Sequence, residues 1–345
     1  MEKNQLKSSR VAVIGGGVVG LYLAWKLSEK GHKVTLFEKK DKIGKEACSG
    51  LFSERILDFI PQCKSLIQNQ IESVLIHFPK KTLNVKFSQR FLVMSHVELD
   101  KLVFNLAQKA GADIKLQSPI NSLPQGFDRT IGCDGANSAV RKSLGLAAPV
   151  CRLGIQGFVS ERNSASFVET WPVKGGFIWK IPRGRKSMKF PSSPSSLSLR
   201  ESSITEYGII SSLKGAKLLF EEFLNKNNIK LEKINSAFVP QGFLIPRNSA
   251  ITLCGDAAGL TKPWSGGGVV WGLTAAAILL KNFPDFIKYQ KDLKKFFGPK
   301  ILISKIATRV AYLIGFHFPW ILPKNVKIEG DVILSNFTKL SKKNK

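Results

Sequence analysis

Acidic residues are scarce in this chain. Its 345 residues include 25 Asp and Glu against 52 Lys and Arg, a formal net charge of +27 at pH 7. Such an excess favours anionic partners: a phospholipid surface, a diphosphate or an acidic electron carrier. A Lys-rich proteome would leave the same signature. The lysines are spread along the chain rather than gathered in a basic stripe with interleaved aromatics, which argues against a nucleic-acid binder. Cysteines are few and odd in number, at 48, 63, 133, 151 and 254, with no CxxC. Neither a disulfide framework nor a zinc site is indicated, so no metal is expected and reduced thiols in the cytoplasm are the simplest reading. The N-terminus lacks the apolar core of a signal peptide. Long apolar runs are missing too. The longest near the end, Val310 to Pro323, falls short of the roughly 20 residues that a span needs. It suits either a membrane interface or a core helix and turn. Expected localisation is therefore cytoplasmic, with peripheral attachment at the cytoplasmic membrane face as an extension. No internal repeat is visible.

What is present begins at Arg10. RVAVIGGGVVGLYLAWKLSEKGHKVTLFE, ending at Glu38, reads as strand, tight turn, helix and strand. Val11 to Ile14 is a β-branched run suited to a strand buried on both faces. Gly15, Gly17 and Gly20 form G-x-G-x-x-G where that strand stops and a helix begins, with Val19 inside the fingerprint. The three glycines serve a sharp turn, the approach of a pyrophosphate, and close packing of helix on strand. The helix N-terminus offers N–H groups to phosphates. Glu38 then ends the second strand, followed by Lys39, where an acid accepts from ribose hydroxyls. This is a dinucleotide site; the motif alone leaves FAD and NAD open.

A second stretch, ITLCGDAAGLTKPWSGGGVVWG over 251–272, reads as a strand ending in Gly255-Asp256, then a glycine run, Gly266, Gly267 and Gly268, that itself opens a helix over 266–280. Asp256 can accept from a ribityl hydroxyl. The helix N-terminus can face a flavin carbonyl on which reduction places negative charge. Between these stretches, the segment from His96 to Gly111 is an amphipathic helix. The segment 51–59 reads as helical, 72–78 with 82–87 as a hairpin, and 91–94 as a further strand. From Arg152 onward short strands dominate, interrupted by a Ser- and Pro-rich stretch, 187–203, expected to be an exposed loop.

Together with GCDGANSAVR at 132–141, which contains Asp134, these motifs resemble flavoproteins of the p-hydroxybenzoate hydroxylase fold over about residues 10–150 and 245–285. Within that class the chain resembles the geranylgeranyl reductase family, including the digeranylgeranylglycerophospholipid reductases. GKEACSGLFSERIL at 44–57 is similar to that family's Cys-containing loop beside the flavin. GGFIWKIPRG at 175–184 is similar to its aromatic-x-Trp-x-aromatic-Pro-Lys/Arg-Gly segment. Ile181 departs from the usual aromatic, and His96 stands where relatives carry Arg.

The resemblance implies an α/β fold: a Rossmann-like FAD-binding domain (residues 8–75, 95–150 and 246–285) interleaved with a smaller β-rich α+β substrate domain (76–94 and 151–245), then a helical C-terminal segment (286–345). It implies FAD, held by Gly15, Gly17, Val19, Gly20, Glu38, Lys39, Cys48, Ser49, His96, Asp134, Gly255, Asp256, Gly266, Gly267, Gly268 and Val269. The electron donor stays open among NADPH, ferredoxin and quinol. Substrate would be a prenylated lipid or prenyl diphosphate, met by Phe177, Trp179, Pro182, Arg183 and Trp264, with Arg183 and Lys262 as phosphate contacts. Phe158, Phe167 and Trp171 are further candidates for an apolar tunnel. Cys48 is the candidate proton donor for C=C reduction by hydride from reduced flavin. Two alternatives stand beside this reading: an FAD-dependent monooxygenase of the same fold, and a flavin-binding protein without catalysis.

Overall fold

The computed structural model describes residues 8–161, 165–184 and 204–328. The Ser- and Pro-rich stretch lies outside them, as does the Lys-rich tail. The architecture is α/β, with a parallel Rossmann-like sheet and a separate β-rich sheet, and the chain passes between two compact units several times.

The first unit comprises Met1–Lys45, His96–Cys151 and Val239–Lys305. Its sheet orders the strands Ile251–Leu253, Arg129–Gly132, Arg10–Ile14, Lys33–Phe37 and Asp113–Lys115, all parallel. Central Val11, Val13 and Leu36 are fully buried, as a strand covered on both faces requires. The helix Val18–Glu29 buries Leu21, Leu23, Ala24 and Leu27 and packs against the helices His96–Lys109 and Val269–Asn282.

The second unit comprises Glu46–Ser95, Arg152–Phe238 and Ile306–Lys345. Its sheet runs Glu232–Gln241, Val150–Ser160, Ile204–Ser212, Gly176–Pro182, Phe167–Val173, Asn69–Phe78, Lys81–Val93 and Asn325–Ile328, with Leu51–Ser53 paired to Lys81–Val93. One face carries Ile178, Tyr207 and Ile209, packed on Ala216 and Phe220 of the helix Ala216–Lys226. Because side chains alternate along a strand, the opposite face takes Phe177, Trp179 and Ile181, opposed by Ile210, Gly208 and Glu206 of the next strand, and then by Gln156 and Phe158.

Several elements differ from expectation. Leu51–Ser53 is a strand, and only Ile56–Phe59 is a helical turn. The pieces read at 82–87 and 91–94 are one strand, Lys81–Val93. The late glycine run does not open the helix at Gly266. The chain stays unwound through Gly267, and Gly268 caps a helix that begins at Val269. Helix Phe286–His317 is continuous and contains Pro299. The apolar run from Val310 is not a core helix: Val310 and Leu313 are about half exposed. Among the described residues no helix is long and apolar enough to cross a membrane.

Candidate functional site

In the first unit the N-terminal turn has the geometry of a phosphate cradle. Gly15 has φ +110°, and a Cβ there would meet the Cys133 carbonyl at 2.5 Å. Gly15 N–H donates to Phe37 O at 2.8 Å, which fixes the turn to the second strand. A Cβ on Gly20 would lie 2.1 Å from Gly15 O, whereas nothing lies within 4 Å of one on Gly17. Gly20 thus permits helix and turn to touch. Gly17, the cap of Val18–Glu29, leaves open space above the helix N-terminus, where backbone N–H groups and the dipole favour an anion.

Glu38 is aimed at this turn. Its Oε2 accepts from Gly16 N–H at 2.6 Å and its Oε1 from Lys40 N–H at 3.0 Å. A carboxylate has about four lone-pair sites, so both oxygens keep capacity for ribose hydroxyls. Lys39 is exposed beside it.

The late motif belongs to the same unit. Val19 packs beneath it: a Cβ on Gly272 would come within 2.6 Å of Val19 Cγ2. Asp256 lies over the start of Val269–Asn282, so close to Gly268 that a Cβ there would meet its Oδ1 at 2.6 Å. A negative charge at a helix N-terminus is favourable. Lys45 Nζ reaches Asp256 Oδ2 at 3.4 Å. Asp134 Oδ2 accepts from Ala139 N–H at 2.6 Å at the start of the helix Ala139–Ser143. Buried Arg141 ties these turns together, donating from Nη2 to Ala136 O at 2.7 Å and from Nη1 to Ala257 O at 3.0 Å. His96 is buried, with Nε2 3.4 Å from Asp100 Oδ1, and Asp100 Oδ2 accepts from Lys45 N–H at 3.0 Å. Trp264 sits edge-on to Trp271 at 6.2 Å, with Lys262 Nζ 5.8 Å above its ring. Lys262 is buried rather than a solvated loop charge.

In the second unit the Cys48 loop lies against the face that carries Trp179. Gln156, buried on that face, donates to Cys48 O at 3.0 Å. Cys48 Sγ accepts from Gly50 N–H at 3.5 Å, with Ser49 between them. Gly50 has φ +61°, and a Cβ there would come within 2.4 Å of Met94 O and collide with Arg183 Nη1. Arg183 Nη1 itself donates to Met94 O at 3.2 Å. Its Nη2 lies 2.8 Å from Glu206 Oε2, and Glu206 Oε1 accepts from Trp179 Nε1 at 3.1 Å.

Glu206 is fully buried. Burial raises its pKa above the ordinary carboxylate value, and Arg183 followed by the Trp179 hydrogen bond pulls it back down. Arg183 is therefore a buried cation held by Glu206 and Met94 O. Pro182 gives its carbonyl to Asn69 Nδ2 at 2.9 Å. Phe177 and Trp179 are 6.0 Å apart on one face. Trp171, paired with Ile178, turns to the other face and packs on Phe223, which removes it, and Phe167 in phase with it, from any lining shared with Trp179.

The remaining thiols are poor candidates for chemistry. Burial pushes Cys63 up to about 11 and raises Cys151; contact with Cys254, then burial, raises Cys133 well above the usual thiol range.

A family model for FAD dependent oxidoreductases matches residues 10–64. The whole chain superposes on a geranylgeranyl bacteriochlorophyll reductase-like protein from Thermoplasma acidophilum. The TM-score is 0.78 at 20% identity, covering 97% of this chain and 98% of that one. The fold is that of the FAD-dependent oxidoreductases. The same flavoprotein fold is found in a probable FAD-dependent monooxygenase from Pseudomonas aeruginosa, with a TM-score of 0.64 at 15% identity over 90% of this chain and 96% of that one. In sequence the chain is similar to a kynurenine 3-monooxygenase of Christiangramia forsetii, 24% identical over 40% of this chain and only 38% of the relative's length.

Sequence reasoning did not find Lys45, Arg141, Gln156 or Glu206. Glu206 had a signal: it is the lone acid in an otherwise buried strand, ITEYGIISS.

Proposed function

We propose that this chain is an FAD-dependent reductase of C=C bonds in a geranylgeranyl or other prenyl chain, carried by a membrane lipid or a prenyl diphosphate. One observation carries the reading. The Cys48 loop and the Phe177–Arg183 segment, far apart in sequence, meet in one unit: Arg183 packs against Gly50 and Gln156 holds Cys48. These are the two features that separate a prenyl reductase from a hydroxylase of the same fold.

FAD fits the first unit on its own geometry, because the open space above Gly17 and the carboxylate of Glu38 are complementary to a pyrophosphate and a ribose. Gly15, Gly17 and Gly20 shape its phosphate site, Glu38 takes the ribose, and Asp256 with the N-terminus of Val269–Asn282 takes the ribityl side. When bound, FAD supplies the hydride. An isolated alkene is a poor acceptor, so the chain must position it and exclude water. Phe177 and Trp179 provide the apolar platform. Cys48 donates the proton to the carbon left behind.

The test is spectroscopic. Protein reduced anaerobically by dithionite is mixed with a geranylgeranylated phospholipid. Return of the oxidised flavin band without air supports the reductase. A band that returns only on admitting air overturns it in favour of the monooxygenase reading. Failure to bind FAD after reconstitution overturns both.

A further inference from the structure

The second unit displays an apolar edge that the proposed chemistry does not use. In the helix Phe286–His317, the part from Ile306 onward is held on one side only. Tyr312 Oη donates to Gly176 O at 2.7 Å, and Gly315 lies so close to Phe78 that a Cβ would strike its ring. On the other side Ile306, Val310 and Leu313, spaced by four and three residues and so on one face, are 54%, 47% and 55% exposed. The helix ends in an aromatic turn, Pro319–Ile321, where Phe318, Trp320 and Ile321 are also exposed, Trp320 at 70%. Exposed apolar side chains gathered along one helix face and its terminal turn are the kind of surface that marks an interaction site.

The charge around it selects the partner. From Ile306 to Ile328 the sequence has Arg309, Lys324 and Lys327 and no acidic residue. The hairpin turn bearing Lys80 and Lys81 lies alongside, since Lys81 Nζ donates to Leu322 O and Asn84 N–H donates to Lys324 O. A second copy docked here through a two-fold axis would set the same basic edge against itself. An apolar helix face with Trp and Phe at one end and cations at the rim instead matches the interface of an anionic bilayer, where aromatic rings sit at headgroup level and each Lys or Arg gains from the surface potential.

We propose that the Ile306–Ile321 edge, with Lys80, Lys81 and Lys324, docks this protein onto an anionic phospholipid surface without spanning it. The inference does not rest on the reductase reading. The test is co-sedimentation of the full-length protein with vesicles of mixed phosphatidylglycerol and phosphatidylcholine, compared with pure phosphatidylcholine. Binding is expected to need phosphatidylglycerol and to weaken with salt. Phe318→Ser with Trp320→Ser should lower partitioning by about tenfold or more at an unchanged melting temperature. Lys80→Glu with Lys324→Glu should weaken binding to anionic vesicles only. A Trp320→Phe variant should bind as the parent does but lose the lipid-induced blue shift of tryptophan fluorescence. Absence of vesicle binding, or undiminished binding by the Phe318/Trp320 variant, overturns the proposal. So does a variant that dissociates a dimer while vesicle binding is unchanged, since a second copy would then be what covers this face.

Discussion

Replacing Arg183 with Met removes the cation facing Glu206 and leaves the Trp179 indole as that carboxylate's remaining partner among the contacts described. Because Glu206 has no solvent exposure, no water replaces the guanidinium. Breaking one side of a buried ion pair costs about 3–5 kcal/mol, and the lost bond to Met94 O adds about 1 kcal/mol. The cost depends on pH, and the direction follows from the carboxyl's displacement. Burial already raises its folded-state pKa, and Arg183 is the larger influence lowering it. Without Arg183 the pKa rises further. A carboxyl whose folded pKa exceeds its unfolded value of about 4.3 stabilises the fold in its protonated form below that value, and the contribution is lost as pH rises through the folded pKa. R183M should therefore lose about 1–2 kcal/mol near pH 4–5, where only hydrogen bonds and packing go, and several kcal/mol near pH 8. Urea unfolding across that range measures both. Glu206→Gln in the R183M background should restore most of the neutral-pH loss while leaving the acid-side value nearly unchanged. A penalty independent of pH, or a double variant weaker than R183M at neutral pH, refutes the buried-pair account.

Gly17→Val should fold with near-parental stability, since its Cβ meets nothing within 4 Å, yet purify without flavin; yellow protein would contradict the cradle. Gly20→Ala should instead lose stability, by more than about 2 kcal/mol in thermal melts, because its Cβ collides with Gly15 O. Lys45→Met should change stability by less than about 1 kcal/mol, as expected of a half-exposed pair, while raising the FAD dissociation constant several-fold in a fluorescence titration. Cys48→Ala should keep the flavin spectrum and slow flavin reoxidation by prenyl substrate; unchanged turnover would leave Cys48 a packing role only.

The nucleotide cradle was legible because it is local. Strand, glycine turn, helix and Glu38 fall within one βαβ unit, and each residue's task is set by near neighbours. The GD motif was legible in composition but not in pitch: small residues do not reveal whether a chain is wound, and Gly266 to Gly268 stay outside the helix. The segment at 51–59 was misread because its apolar spacing suits a helix, while pairing of Leu51 with Val93 makes its first part a strand. The long strand Lys81–Val93 looked like two because Ser88, Gln89 and Arg90 interrupt its apolar character. Tertiary partners left no local trace at all. Lys45 with Asp256, Gln156 with Cys48, and Arg183 with Glu206 are joined only by folding, and nothing local to Arg183 announces the buried carboxylate it faces.

The strand order of the parallel sheet has a consequence for synthesis. Arg10–Ile14 emerges first but sits mid-sheet, and the neighbour on one side, Arg129–Gly132, is itself completed by Ile251–Leu253. On a ribosome the strands Arg10–Ile14 and Lys33–Phe37 must wait, with apolar faces uncovered, until Ile251–Leu253 has been made. Such non-local closure slows folding and prolongs exposure to aggregation. Fragments ending before residue 250 would be natural clients of holding chaperones, and FAD added during translation would find its late motif still unmade.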